Sequence, residues 1–184
     1  RVKGFGGWKA GMTYVLIRDN NPYSTSAGQE VRKAVTVVEA PPMSVLAVRG
    51  YKMTPYGMQT SGEFWTNISE GGPQGLMPRF ANQSRGERDE EEGRKPVKRA
   101  GRIPPHNKGS TEGAFEALLH ADLCDVRLIV ATQPATVGGL STKVPDVMEM
   151  GLDGGTFLEQ LQFAKEKLGE EYSFADSFQE GGLT

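Results

Sequence analysis

Two strand-forming runs separated by a pair of prolines constrain the fold of this chain more than any other feature. The first run covers residues 32–40 and the second covers residues 43–52, with Pro41-Pro42 between them. Neither proline has an N–H to donate to a sheet ladder, so the two runs are predicted as separate strands. The second strand is apolar on both faces around residues 45–48, which is typical of a buried strand.

The exit of this second strand carries cationic and aromatic side chains. Arg49, Tyr51 and Lys52 precede a Thr-Pro-Tyr-Gly sequence at residues 54–57, which is typical of a tight turn. Cations neutralise phosphates and aromatic rings stack on bases, so this combination suits contacts with nucleic acid. The pattern predicts a buried hairpin with a nucleic-acid-binding end.

Further strands are predicted at residues 12–18 and 58–66, with a turn cluster at residues 19–22. Short strands at this spacing, separated by turn signals, favour a barrel or a sandwich.

The last part of the chain mixes helices and strands. Thr111 is expected to cap a helix, strands are expected at residues 126–132 and 146–152, and Ser173 is expected to start a short helix. A capping box between Thr156 and Glu159 predicts a helix that ends at Gly169. The apolar stripe of this helix consists of Phe157, Leu161, Ala164 and Leu168.

The net charge of −2 hides an uneven distribution along the chain. Residues 1–60 carry a charge of +5, residues 61–111 carry +2, and residues 112–184 carry −9. We therefore expect the front of the chain to face a polyanion and the acidic back to point towards solvent or neighbouring proteins. A single cysteine, Cys124, excludes an internal disulfide and fits a reducing compartment, and no apolar run is long enough to cross a bilayer.

Residues 67–110 combine glycines, prolines and opposite charge runs, which predicts a flexible charged loop. The loop is either a basic arm that reaches RNA or a solvated linker whose opposite charges pair locally.

Patterns for catalysis are weak. Two histidines and one cysteine make no closed metal site without carboxylates, so no metal or cofactor is predicted. The turn at residues 151–156 runs from a strand through glycines into a helix N-terminus, a geometry that can bind phosphate. It lacks the lysine of a P-loop and carries Asp153, so a structural turn is favoured over a nucleotide-binding enzyme domain.

The nucleic-acid alternative has more support, because cations lie in or beside the predicted β unit. Trp8 and Trp65 are expected in the core. The residues predicted to contact RNA are Lys3, Lys9, Arg49, Tyr51, Lys52, Arg79, Arg94, Lys95, Lys98 and Arg99.

Four blocks in the same order resemble the archaeal and eukaryotic branch of the large-subunit ribosomal protein three family. They are GFGGWKAGMTYV (4–15), VTVVEAPPMSVLAVRGYKMTPYG (35–57), VRLIVATQP (126–134) and VPDVMEMGLDGG (144–155). The resemblance implies a closed β-barrel whose remaining strands come from sequence after residue 184. It also implies a structural role on large-subunit ribosomal RNA, beside neighbouring ribosomal proteins and without a small-molecule substrate.

The sequence and the resemblance together predict an α+β fold, mostly a partial β-barrel with an inserted two-layer α/β subdomain. The predicted division is a barrel portion at 1–66, a charged loop at 67–110, an inserted subdomain at 111–172 and a short helix returning to the barrel at 173–184. An acidic protein-interaction module is the alternative function.

Overall fold

The computed structural model describes residues 2–68 and 112–178, which form a mixed α+β structure made mostly of strands. The mixed class is confirmed. The elements are β1 (Trp8–Arg18), β2 (Glu30–Glu39), β3 (Met43–Thr54), β4 (Gly57–Trp65), α1 (Glu112–Leu119), β5 (Asp125–Ala131), β6 (Val147–Gly151), α2 (Phe157–Glu166), β7 (Glu171–Tyr172) and α3 (Phe174–Ser177), with a short 3₁₀ turn at Pro134–Thr136.

The chain divides into two compact units. Gly6–Ala40 is one unit, called the ribbon unit below. Arg1–Phe5 and Pro41–Thr184 make up the other, called the sheet unit.

The ribbon unit is a two-stranded antiparallel ribbon of β1 and β2. The pairing runs from Trp8 opposite Glu39 to Arg18 opposite Glu30. Many of its apolar side chains are exposed, with Met12 at 65% and Leu16 at 62%. Because an isolated pair of strands is marginally stable in water, this ribbon needs further contacts to persist.

The sheet unit contains a five-stranded sheet in the order β4-β3-β5-β6, with the short β7 also pairing with β3. The pairs in this sheet are antiparallel. The central strand β3 is buried on both faces at Val45, Leu46, Ala47 and Val48, each at most 1% exposed. The sequence prediction of a doubly buried strand is confirmed.

One face of the sheet, called the helix face, is covered by α1 and α2. Leu118 of α1 is 2% exposed, and Leu161 and Ala164 of α2 are 1% and 0% exposed. Leu161, Ala164 and Phe115 of α1 belong to one apolar cluster with residues that alternate along β5, such as Val126 and Leu128. The opposite face carries a smaller cluster. Its buried members are Leu46, Ala47, Trp65, Ile68, Ile129 and Ala131.

The predicted α2 forms with its capping box: Thr156 accepts from the Glu159 N–H, and the Glu159 carboxylate accepts from the Thr156 N–H. The sequence predicts Phe157 on the buried stripe of this helix, and that prediction is wrong. Its side chain is 44% exposed, because it lies in the first turn of the helix. The last helical residue is Glu166, and Gly169 follows with a positive φ of 82°. The short helix after Ser173 is confirmed.

Strand pairing joins two parts of the predicted division of the chain. The pairing of β3 with β5 runs from Ser44 opposite Ala131 to Tyr51 opposite Asp125. Strands predicted in the barrel portion and in the inserted subdomain therefore share one sheet. Among the described residues the strands close no barrel. The predicted loop at 67–110 lies outside the described residues except for Asn67 and Ile68, and Ile68 is buried.

Candidate nucleic-acid interface

Arg49 is the centre of an ionic network on the sheet face opposite the helices. It sits on β3 directly opposite Glu63 of β4. Its Nη2 lies 2.6 Å from Glu63 Oε1, and its Nε donates to the same oxygen at 2.7 Å. Its Nη1 also pairs with Glu149 of β6 across the intervening strand β5. The three side chains are only 24–29% exposed.

Tyr51 and Arg127 extend this network. The Tyr51 hydroxyl donates to Glu149 Oε2 at 2.7 Å, and the Arg127 guanidinium lies 4.7 Å from the centre of the Tyr51 ring. Arg127 Nη1 lies 3.6 Å from Glu149 Oε2. A hydrogen bond to Asp125 raises the pKa of the Arg127 guanidinium above its ordinary value. Charged hydrogen bonds therefore join β3 to β4 and to β6, and Arg127 of β5 adds an ion pair and a cation–π contact.

This network has consequences for the predicted RNA contacts. Arg49 comes from the basic front of the chain, whereas Glu149 comes from the acidic back. The two arginines face three carboxylates, those of Glu63, Asp125 and Glu149, so the network carries no excess positive charge. Each guanidinium nitrogen of Arg49 and the Tyr51 hydroxyl thus already have a carboxylate partner within the sheet. The expected spatial separation of a basic front from an acidic back does not hold inside the sheet unit.

Three predicted lysines occupy different surroundings. Lys52 is exposed on β3, opposite Gln59, and strand alternation places it on the other face from Arg49. Lys9 is exposed on β1 in the ribbon unit. Within the described part of the chain neither lysine forms an ion pair. Lys3 lies 3.8 Å from Asp153, and its N–H donates to the Gly151 carbonyl.

Arg49 and Tyr51 are therefore brought together, whereas Arg49 and Lys52 share no cationic surface. Half of the predicted contacts lie outside the described residues. They are Arg79, Arg94, Lys95, Lys98 and Arg99.

The turn at residues 151–156 has the geometry of a structural turn. Gly154 and Gly155 have φ of 84° and 71°, and a Cβ on Gly155 would lie 2.2 Å from Glu159 Oε2. The Glu159 carboxylate thus occupies the helix N-terminus that a phosphate would need. A cavity of about 290 Å³ here is lined by Asp153 and Glu159, which repel an anion. These contacts disfavour the nucleotide-binding alternative.

Sequence reasoning missed the partners of Arg49. Glu149 carried a signal, because it interrupts the apolar run between Met148 and Met150 and must face away from them. Glu63 carried no such signal, because an unbroken count from the turn at residues 54–57 places Gly62 opposite Arg49.

Two further observations limit the chemistry of the described part. Within residues 2–68 and 112–178, no helix combines the length and apolar character needed to cross a bilayer. In the same ranges, no group of three or more His, Cys, Asp or Glu side chains is arranged to hold a metal ion.

Comparison with known proteins gives matches along the whole chain. The family model for ribosomal protein L3 matches residues 1–184. The large ribosomal subunit protein uL3 of Archaeoglobus fulgidus is 39% identical, over 100% of this chain and 47% of the relative. The proteins of the same name from Methanothrix thermoacetophila and Halobacterium salinarum are 34% and 33% identical, over 98% and 100% of this chain and 46% and 48% of each relative. The chain spans about half the length of these curated relatives.

Proposed function

The chain belongs to the ribosomal protein L3 family, and on that premise we propose that it binds large-subunit ribosomal RNA as a structural constituent of the cytoplasmic large ribosomal subunit. The observation that carries this proposal is the family match over residues 1–184, together with relatives named as large-subunit proteins. The role is one of binding and assembly, with no reaction of its own, and its other partners are neighbouring ribosomal proteins.

The cations left unpaired by the fold supply the contacts. Lys9 and Lys52 are exposed and form no ion pair among the described residues, so they are available to phosphates. Lys3 is a weaker candidate, because Asp153 lies beside it. Arg49 and Tyr51 are assigned to holding the sheet together instead. The predicted contacts of the five residues beyond Ile68, from Arg79 to Arg99, remain part of the proposal.

The predicted β-barrel and its inserted subdomain are also part of this proposal. We propose that residues 1–66 supply strands to a β-barrel completed by other parts of the protein. Support comes from the exposed apolar side chains of the ribbon unit, such as Met12 and Leu16. Apolar surface of this kind is usually buried against another part of the protein or a partner. Support also comes from the relatives, which are about twice as long as this chain. Residues 111–172 then form an insertion that extends the sheet of β3.

A salt titration of RNA binding tests the proposed function. The probe is an in vitro transcript of the large-subunit ribosomal RNA. If about four phosphates are contacted, the logarithm of the binding constant falls against the logarithm of the salt concentration with a slope of roughly −3 to −4. Replacing Lys9 and Lys52 together by Ala is expected to flatten the slope by about one to two units.

The matched control is Lys143→Ala. Lys143 is also exposed, but its ammonium group donates to the Val137 carbonyl in the acidic part of the chain. This variant is expected to keep the wild-type slope. Absence of RNA binding at low salt would overturn the proposal and favour the acidic protein-interaction module.

A further inference from the structure

The hairpin of β3 and β4 projects beyond the rest of the sheet. The pairing of β3 with β5 stops at Tyr51, opposite Asp125. The pairing of β3 with β4 continues to Thr54, opposite Gly57. The segment from Lys52 to Gln59, called the hairpin arm below, therefore has no third strand beside it among the described residues.

The tip of the hairpin arm is held in shape by local contacts. Pro55 fixes its own φ near −65° and so reduces the freedom of the turn. The Thr54 hydroxyl donates to the Gly57 carbonyl at 2.7 Å. Gly57 has a φ of 109°, which only glycine adopts readily. A preorganised tip loses little conformational entropy when it binds a partner.

The surface of the arm is apolar and aromatic. Tyr56 is 94% exposed at the tip. Met53 and Met58 lie directly opposite each other and are 66% and 44% exposed. Because the Tyr56 ring is exposed at the end of a projecting turn, another planar group can stack on its face.

The charge of the arm selects the kind of partner. From Gly50 to Gly62 the sequence contains one cation, Lys52, and no carboxylate. An acid here would be expected to repel phosphates, and the nearest acid along β4 is Glu63, which is bound by Arg49. An uncharged aromatic tip with one nearby lysine matches the two contacts made by proteins that bind single-stranded nucleic acid: base stacking and phosphate neutralisation.

We propose that the hairpin arm binds an unpaired segment of RNA, with the Tyr56 ring stacked on a base and the Lys52 ammonium on an adjacent phosphate. This inference rests on the proposed function and adds a site to it. Tyr56 would contact a base by stacking, whereas the cations of the chain would attract the phosphates.

The test compares three variants of the 184-residue chain on the large-subunit ribosomal RNA transcript. Tyr56→Ala is expected to weaken binding roughly 5- to 150-fold, the range found when one stacked base loses its aromatic partner. Tyr56→Phe keeps the ring and is expected to bind within about twofold of the wild type. Tyr23→Ala is the matched control, because Tyr23 is 96% exposed in a turn of the ribbon unit.

The salt dependence separates stacking from charge. Because stacking releases no counterions, Tyr56→Ala should lower the binding constant at every salt concentration and leave the slope unchanged. Lys52→Ala should reduce the slope by about 0.7–0.9 units, the contribution of one phosphate. Circular dichroism spectra that match the wild type establish that each variant is folded.

The possible failures are distinguishable. A wild-type chain that binds no RNA at low salt overturns the proposed function itself. A wild-type chain that binds RNA while Tyr56→Ala binds equally well overturns only the hairpin-arm site, and the exposed arm is then left for a protein partner. Equal losses in Tyr56→Ala and Tyr23→Ala also overturn it, because the effect would not be specific to the arm.

Discussion

Replacing Arg49 tests whether this residue holds the sheet or binds RNA. Arg49 pairs with Glu63 and with Glu149, and the side chains are 24–29% exposed. Hydrogen bonds to charged groups contribute about 1.5–3 kcal/mol each, whereas exposed ion pairs contribute about 0.2–1 kcal/mol. Intermediate burial places each pair between these ranges, at about 1–2 kcal/mol. Arg49→Ala should therefore lower the free energy of unfolding by about 2–4 kcal/mol, because it removes both pairs and takes from Glu63 its cation, whereas Glu149 keeps Arg127 at 3.6 Å.

A double-mutant cycle isolates the pair with Glu149. Urea unfolding is measured for the wild type, Arg49→Ala, Glu149→Ala and the double variant, and the coupling free energy is expected to be about 1–2 kcal/mol. Lys52→Ala is the control on the same strand and should stay within about 0.5 kcal/mol of the wild type. A loss below about 0.5 kcal/mol for Arg49→Ala, with coupling near zero, would refute the structural assignment of this residue.

Two further predictions concern the core of the sheet unit and the turn of the ribbon unit. Leu161→Ala should lower the free energy of unfolding by about 2–5 kcal/mol, because Leu161 is 1% exposed. Leu158→Ala on the same helix should cost less than about 0.5 kcal/mol, since Leu158 is 55% exposed; similar losses in urea unfolding would contradict the described packing of α2. Hydrogen bonds from the Ser24 and Ser26 hydroxyls lower the pKa of Asp19 to about 2, so this carboxylate contributes stability above about pH 4 that is lost as the pH falls through 2. A carboxyl NMR titration should show Ser24→Ala raising that pKa, and an unchanged midpoint would show that the hydroxyl does not act on Asp19.

Local patterns predicted much of the secondary structure. The Pro41-Pro42 pair separates β2 from β3, and the turn after Thr54 leads into β4 as expected. The capping box at Thr156 marks the start of α2. These features depend on neighbours in sequence, through missing N–H donors and short hydrogen bonds, so one sequence is enough to find them.

The ion-pair partners of Arg49 could not be predicted from local sequence patterns. Counting back from the turn places Gly62 opposite Arg49, but a bulge at Ser61 moves Glu63 into that position. The pairing with Glu149 depends on β5 lying between β3 and β6, a contact between residues 100 positions apart. Charge sums along the chain missed this, because a sheet brings distant segments together and mixes their charges.

The salt dependence of RNA binding by Lys52→Ala and Arg49→Ala tests the central claim most directly. The claim is that the fold leaves certain cations unpaired and that these cations hold ribosomal RNA. At a temperature where both variants are folded, Lys52→Ala should lose about 0.7–0.9 units of slope, and Arg49→Ala should keep the wild-type slope. A flattened slope for Arg49→Ala with an unchanged slope for Lys52→Ala would contradict the account.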